Sequence, residues 1–291
     1  PMHIFVIRDE SYVDFDPTLE DRRSIRTRIE SNTELQSRER SVLDSMDAWW
    51  SEAEEHIRAI SEGAALHESR ATLLSSFDSG LETSGMMTSF KVTGLLASWW
   101  DDVRRQDMRS LRQNGFSGLI ASWSINVHDL VGANESVNDH PLIRHLLAEH
   151  LDELNTKQER VSEINAAQKR EKEREEDDEP EFTKAEFADM KKEKTLLNRK
   201  LKALKTGLLE ALGVALEDLS DSEAEAIVLS ILREGIQSRL ENEIAAHRRG
   251  VVAAVENWWN KYKVTLGEIE AKRDVSRTRI DEHLRRLGYH P

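Results

Sequence analysis

The chain has no cysteine in 291 residues, which removes disulfides, thiolate metal sites and thiol nucleophiles together and fits a reducing compartment. Long apolar runs are missing too. The stretch from Val92 to Trp100 falls far short of a membrane span, and the first residues lack the charged, apolar and cleavage regions of a secretory signal. A cytoplasmic protein without a membrane segment is the expectation. A surplus of positive charge is also absent. The formal charge of −14 argues against a general phosphate-binding surface, because such affinity rests on Lys and Arg displacing condensed counterions. Any DNA contact would have to be local. With only five prolines and thirteen glycines, little punctuates the chain.

What is present is a third of the residues in charged types and a predominance of Ala, Leu, Glu, Lys and Arg, the mixture of long helices and coiled coils. The fold class read from this is all-α: a helical domain, a long antiparallel coiled-coil hairpin and C-terminal helices, with one short N-terminal strand. That strand is His3-Ile-Phe-Val-Ile-Arg, β-branched and too brief for a helix. Its partner is either something small in this chain or a sheet lying upstream. Thr18-Leu-Glu-Asp predicts a helix start, with the helix running to about Ser61. Serines and glycines predict a loop around Ser79 to Thr88. Phe90 to Arg105 and Gly115 to Leu130, the most apolar stretches, are expected to form the core of the N-terminal domain. Pro141 suits a first helical position, and the helix it opens runs through Leu151 and Leu154 into the charged segment Lys169 to Glu181.

Beyond that segment, Thr183-Lys-Ala-Glu186 predicts a capping box, and Phe187, Met190, Lys194, Leu197, Leu201, Leu204 and Leu208 alternate spacings of three and four. This is a coiled-coil seam with Lys194 as a polar interruption. Ser220-Asp-Ser-Glu223 caps a further helix that continues past Gly250 through Trp259. Thr265-Leu-Gly-Glu268 opens the last helix, with Gly288 as its C-cap. The implied divisions are residues 1–17 as a strand and linker from an upstream domain, 18–135 as a helical domain, 136–212 as the helical hairpin with its charged connection near 169–182, and 213–291 as the C-terminal segment.

Motifs that carry chemistry are scarce. The sequence holds no phosphate-binding glycine loop and no Gly-x-Ser-x-Gly elbow, and no histidine has a glutamate three positions before it. His140, His145 and His150 recur every five residues, which scatters them around a helix. The acidic run Glu175 to Glu179 reads as a solvated charge block. The basic clusters Arg104-Arg105, Arg109 with Arg112, and His247-Arg248-Arg249 read first as salt-bridge partners, with Arg248 and Arg249 as the candidate phosphate contacts. Adjacent tryptophans recur at Trp49-Trp50, Trp99-Trp100 and Trp258-Trp259. Neighbours on a helix point about 100° apart, so one ring of each pair is expected inside and the other at an edge or against a neighbouring element. Trp258, Trp259 and Tyr262, set among Asn257, Asn260 and Lys261, have the character of interface anchors; intramolecular packing is the equal alternative.

The order of segments resembles a known family. His247-Arg-Arg-Gly-Val-Val-Ala-Ala-Val-Glu-Asn-Trp-Trp-Asn-Lys-Tyr-Lys, continuing to Lys272-Arg-Asp and a terminal Leu284-Arg-Arg-Leu-Gly-Tyr, is similar to the C-terminus of methylation subunits of type I restriction-modification systems. Phe90-Lys-Val-Thr-Gly-Leu-Leu-Ala-Ser-Trp-Trp, Asn114-Gly-Phe-Ser-Gly-Leu-Ile-Ala-Ser-Trp, His140-Pro-Leu-Ile, Glu149-His-Leu-Asp-Glu-Leu and Ile7-Arg-Asp-Glu-Ser also resemble segments of the longer members. The resemblance implies a parent protein that methylates adenine N6 in DNA with S-adenosylmethionine, together with a specificity subunit and in some systems a restriction subunit. The family's Asn-Pro-Pro-Tyr/Phe motif and its glycine-rich cofactor segment are absent here, so no catalytic, cofactor or metal residue carries over. The chain is expected to be a non-catalytic assembly module that packs on the specificity subunit and beside the methyltransferase catalytic domain, meeting DNA only through the complex. Candidate partner-binding residues are Trp258, Trp259, Tyr262, Leu197, Leu201, Leu204 and Leu208; the leucine seam could equally be closed by the chain's own helix before residue 175. The alternative is a self-contained structural or regulatory coiled-coil protein unrelated to restriction.

Overall fold

The computed structural model of the protein describes residues 4–9, 12–82, 86–133, 135–173, 182–262, 266–287 and 289. The architecture is all-α, preceded by one small hairpin. Strand β1 (Phe5–Asp9) pairs antiparallel with β2 (Tyr12–Phe15), Phe5 opposite Phe15, with an irregularity between Ile7 and Asp9. The sequence predicted a single strand and left its partner open. The partner is the next four residues, too short a run to show an alternating pattern of its own.

The single helix expected from Thr18 to Ser61 is two, α1 (Arg22–Glu30) and α2 (Thr33–Ser61). Thr18 does not cap it: its hydroxyl and amide both donate to Asp16, and Asp21 is the cap, in reciprocal bonds with Ser24. The break comes where the Asn32 side-chain oxygen accepts the Leu35 amide at 2.9 Å, an alternative partner that opens a new helix. The loop expected from Ser79 is instead helix as far as Glu82, the end of α3 (Leu66–Glu82). Ser69, Leu73, Phe77 and Leu81 recur every fourth residue and are all buried. The Ser79 hydroxyl folds back onto the Ser75 and Ser76 carbonyls, so the serines are tolerated inside the helix.

Helix α4 (Ser89–Ser98) runs into a π-helical turn (Trp99–Arg104) and then α5 (Arg105–Gly132), which is interrupted at Gly115 with φ +69°. Both apolar stretches supply core residues, among them Val92, Leu96, Trp99, Leu119 and Trp123. Phe90, Val103 and Ile125 depart from that expectation and lie exposed. Pro141 opens α6 (Pro141–Leu146) as expected, but the chain breaks at Leu147 before α7 (Ala148–Glu173). Helices α8 (Lys184–Glu217), α9 (Asp221–Tyr262) and α10 (Leu266–Arg286) complete the chain. The capping pairs Thr183 with Glu186 and Ser220 with Glu223 form as the sequence predicts, and α9 passes through Gly250 unbroken. The charged connection from residue 174 to 181 and the glycine cap at Gly288 lie outside the described residues.

The chain divides into two compact units, one of Pro1–Glu52, Leu74–Ala97 and Ile236–Pro291, the other of Ala53–Leu73 and Ser98–Gly235. In the first, Ile4, Phe15, Leu19, Ile25, Ile29, Leu35, Val252 and Val255 form one buried cluster; each such side chain contributes about 1.5–3 kcal/mol on leaving water. In the second, α7 and α8 pair as an antiparallel hairpin. Among the described residues no helix is long and apolar enough to cross a membrane.

Candidate functional site

The aromatic segment Trp258-Trp259-Asn260-Lys261-Tyr262 ends α9. It is placed by the strand hairpin and α1, which cover one side of the helix through Val252 and Val255. Trp259 is partly buried against that cluster and meets Phe15 edge-on at 5.0 Å between ring centroids. The Phe5 ring stacks at a tilt on Phe15, also at 5.0 Å, and stands 6.4 Å from Trp258. Polar ties pin the same helix to α1: Arg22 donates twice to the Asn260 side-chain oxygen, at 3.2 and 3.0 Å, and Arg26 pairs with Glu256 at 3.3 Å. Trp258 remains 49% exposed and Tyr262 54%. Four residues apart, they share one face of α9. The aromatic segment therefore divides its labour, with Trp259 packing inside and Trp258 and Tyr262 facing outward.

Helix α10, in the same unit, also carries exposed apolar side chains. Ile269, Ile280, Leu284 and Leu287 fall on one stripe at helical spacing and are all exposed, as are Val275 and Tyr289. Among the described side chains of α10 none is buried. A helix of this length whose described side chains include no buried one is unusual for a globular chain, since burial of such a stripe is what ordinarily stabilises a helix.

The leucine seam behaves differently. Leu197, Leu201 and Leu204 are half-buried and Leu208 fully buried, and α8 pairs with α7, whose Leu151, Leu154, Ile164 and Ala167 are buried. Lys194, the polar seam position, donates to Gln168 across the hairpin at 3.4 Å, and Arg160 grips Glu193 with two bonds at 2.8 and 3.1 Å. Of the two candidate phosphate contacts, Arg248 is held by Glu39, Nε to Oε1 at 2.8 Å with a second short bond beside it. Arg249 is exposed. Both line a shallow cleft of about 400 Å³ with Arg26, Glu30, Val252 and Glu256, where the acidic residues offset much of the positive charge.

Arg104 takes the salt-bridge role expected of its basic cluster, but inside the protein. Arg104, 9% exposed, pairs with Asp107 at 2.9 Å. Asp107 also accepts the Trp123 indole N–H at 2.9 Å, and the guanidinium lies 6.0 Å from the centre of the Trp123 ring. On α9, a Cβ at Gly235 would meet Arg104 Nη2 at 3.1 Å and Trp99 Nε1 at 3.2 Å, so that glycine admits the close approach. His140 is held below its ordinary value, first by burial and then by Arg104, with Asp107 opposing. The i,i+3 spacing of Arg104 and Asp107 was visible in the sequence; the burial of an arginine was not. His145 and His150 look elsewhere, to Glu234 at 3.1 Å and to the Leu204 carbonyl at 3.0 Å. Among the described residues, no group of three His, Cys, Asp or Glu is placed to hold a metal ion. The tryptophan pairs also differ from expectation. Both rings are buried at Trp49-Trp50 and at Trp99-Trp100: Trp49 packs on Phe77 and donates to Ser76, and Trp99 and Trp100 lie on the π-helical turn.

Compared with protein-family models, with curated proteins and with solved structures, the chain finds no match in any of the three.

Proposed function

We propose that the chain is a non-catalytic assembly module of a type I restriction-modification DNA adenine methyltransferase, docking on helices of the specificity subunit through the end of α9 and the outer stripe of α10. The observation that carries the docking reading is the pair Trp258 and Tyr262. They are outward-facing aromatics on a helix end that Trp259, Phe15 and the arginine ties hold in place, in the same unit as a helix whose apolar stripe is exposed. Rigid aromatic anchors cost little conformational entropy on binding. The family assignment rests on the sequence segments quoted above and on nothing else. Under it, S-adenosylmethionine and methyl transfer belong to the catalytic domain, DNA is met through the complex, and the restriction subunit is a further partner.

The test is a pull-down of the full chain with the cognate specificity subunit. A complex is expected, and Trp258→Ala with Tyr262→Ala should weaken it at least tenfold while leaving the helical circular dichroism unchanged. Absence of a complex with the unsubstituted chain overturns the family reading. It would favour the second reading, a self-contained structural or regulatory coiled-coil protein, for which the supporting observation is the closure of the leucine seam by the chain's own α7. Incubation of the chain with labelled S-adenosylmethionine and DNA should give no transfer.

A further inference from the structure

Helix α8 has a charge character that the chain as a whole lacks. Between Lys184 and Lys205 it holds eight basic residues against three acidic ones, within a protein of net charge −14. The three acids are all engaged. Glu186 closes the cap with Thr183, Asp189 pairs with Lys192 at 3.2 Å, and Glu193 reaches across the hairpin to Arg160. Lys194 is turned into the seam. What remains on the side of α8 away from α7, and at its edge, is Asn198, Arg199, Lys202 and Lys205, with Lys191, whose ammonium lies 4.9 Å over the Phe187 ring, all exposed and following the helical repeat. Among the described residues of α8, no acidic side chain stands between them on that side. Thr195 and Thr206, which share that side, bond to backbone carbonyls of their own helix and add no charge. The cations span about 21 Å at 1.5 Å per residue.

We infer that this stripe binds the phosphate backbone of duplex DNA without reading its sequence. Four cations with a primary amide among them supply point charges and hydrogen-bond donors, which suit phosphate oxygens. They offer little apolar area, and Leu196 is the one exposed large apolar side chain beside them. The neighbouring apolar seam is already covered by α7, so an acidic amphipathic helix would find charge here without a groove to bury its own stripe. The negative charge elsewhere does not prevent binding, because at 0.1 M salt interactions between exposed charges are screened beyond about 10 Å. This contact goes beyond the assembly reading, since it belongs to the chain itself.

The experiment is fluorescence anisotropy of a labelled 20-base-pair duplex of arbitrary sequence with the full chain between 50 and 200 mM salt. Binding in the ordinary non-specific range, a dissociation constant of about 10⁻⁴ to 10⁻⁶ M, is expected, with log affinity falling against log salt at a slope of about −3 to −4 for four neutralised phosphates. Arg199→Glu, Lys202→Glu and Lys205→Glu together should weaken binding at least tenfold. The neutral set, the same three positions to Gln, should act in the same direction, and Lys202→Arg should change nothing. Lack of binding at 50 mM, or equal binding by a folded triple variant, overturns the proposal. Competition by polyglutamate as effective as by DNA also overturns it, in favour of an acidic polypeptide. The Trp258→Ala, Tyr262→Ala protein, impaired in the pull-down, should bind the duplex unchanged, so failure of the assembly reading and failure of this one are read separately.

Discussion

At the scale of single residues, the cluster around Arg104 gives the sharpest expectations. Removing its carboxylate by Asp107→Ala leaves a guanidinium that is nine-tenths buried without its partner, and truncating one member of a buried pair costs about 3–5 kcal/mol. Urea unfolding should show this as a lower midpoint at unchanged slope. The two α9 glycines should respond with opposite signs. At Gly250 a Cβ meets nothing within 4 Å, so Gly250→Ala should stabilise by about 0.5–1 kcal/mol through helix propensity. At Gly235 the same substitution gains that term but pushes against Arg104, fixed by Asp107, and against Trp99, which is only 1% exposed. Overpacking of about 1–3 kcal/mol then outweighs the gain. His140 sets a pH dependence. Its folded-state value is depressed, so the unfolded chain binds the proton more readily. This contribution to stability is complete above the unfolded value near 6.5 and declines as pH falls through it. Unfolding midpoints at pH 7.5 and 5.5 should differ more in the unsubstituted protein than in His140→Gln.

At the scale of elements, the hairpin of α7 and α8 should tolerate change unevenly. Leu212 and Leu208, 0% and 3% exposed, should each cost about 2–5 kcal/mol on truncation to Ala, and Leu197→Ala, half-buried, distinctly less; thermal melts of the three variants rank them. The seam, both capping boxes and the long α9 were legible in the sequence because each rests on local spacing, three-and-four for the leucines and a fixed offset of three for Thr183 with Glu186 and Ser220 with Glu223. What was not legible depended on partners distant in sequence or on short polar side chains. Ser31 ends one helix, and Asn32 starts another, its side chain accepting the Leu35 amide. The serines of α3 look like loop residues until Ser69, Leu73, Phe77 and Leu81 are seen on one buried side. Tyr12-Val-Asp-Phe is a strand only because Phe5 lies opposite Phe15. The same division applies to the candidate site. The aromatic run around Trp258 stood out in the sequence, whereas the split that partly buries Trp259 and leaves Trp258 outside is set by the strand hairpin, and the burial of Arg104 beside Gly235 depends on a helix distant in sequence.

At the scale of the whole molecule, apolar surface and charge are both distributed locally. Trp258, Tyr262 and the α10 stripe present uncovered apolar side chains in one unit, and the cations of α8 lie in the other. Because the described side chains of α10 are unburied, removing residues 266–291 should move the melting temperature by no more than about 2 °C while abolishing the proposed complex with the specificity subunit. A large drop in melting temperature would instead show that α10 supports the fold. The consequence of that bare helix reaches into time as well as energy. A 21-residue helix none of whose described side chains is buried should open and close as an isolated helix does, within about a microsecond, so its amide hydrogens should exchange with deuterium in seconds while those of Val228 to Leu240 in α9 hold for hours. Once an occupant seats on the stripe, the same amides should slow by orders of magnitude, making α10 a built-in clock of assembly.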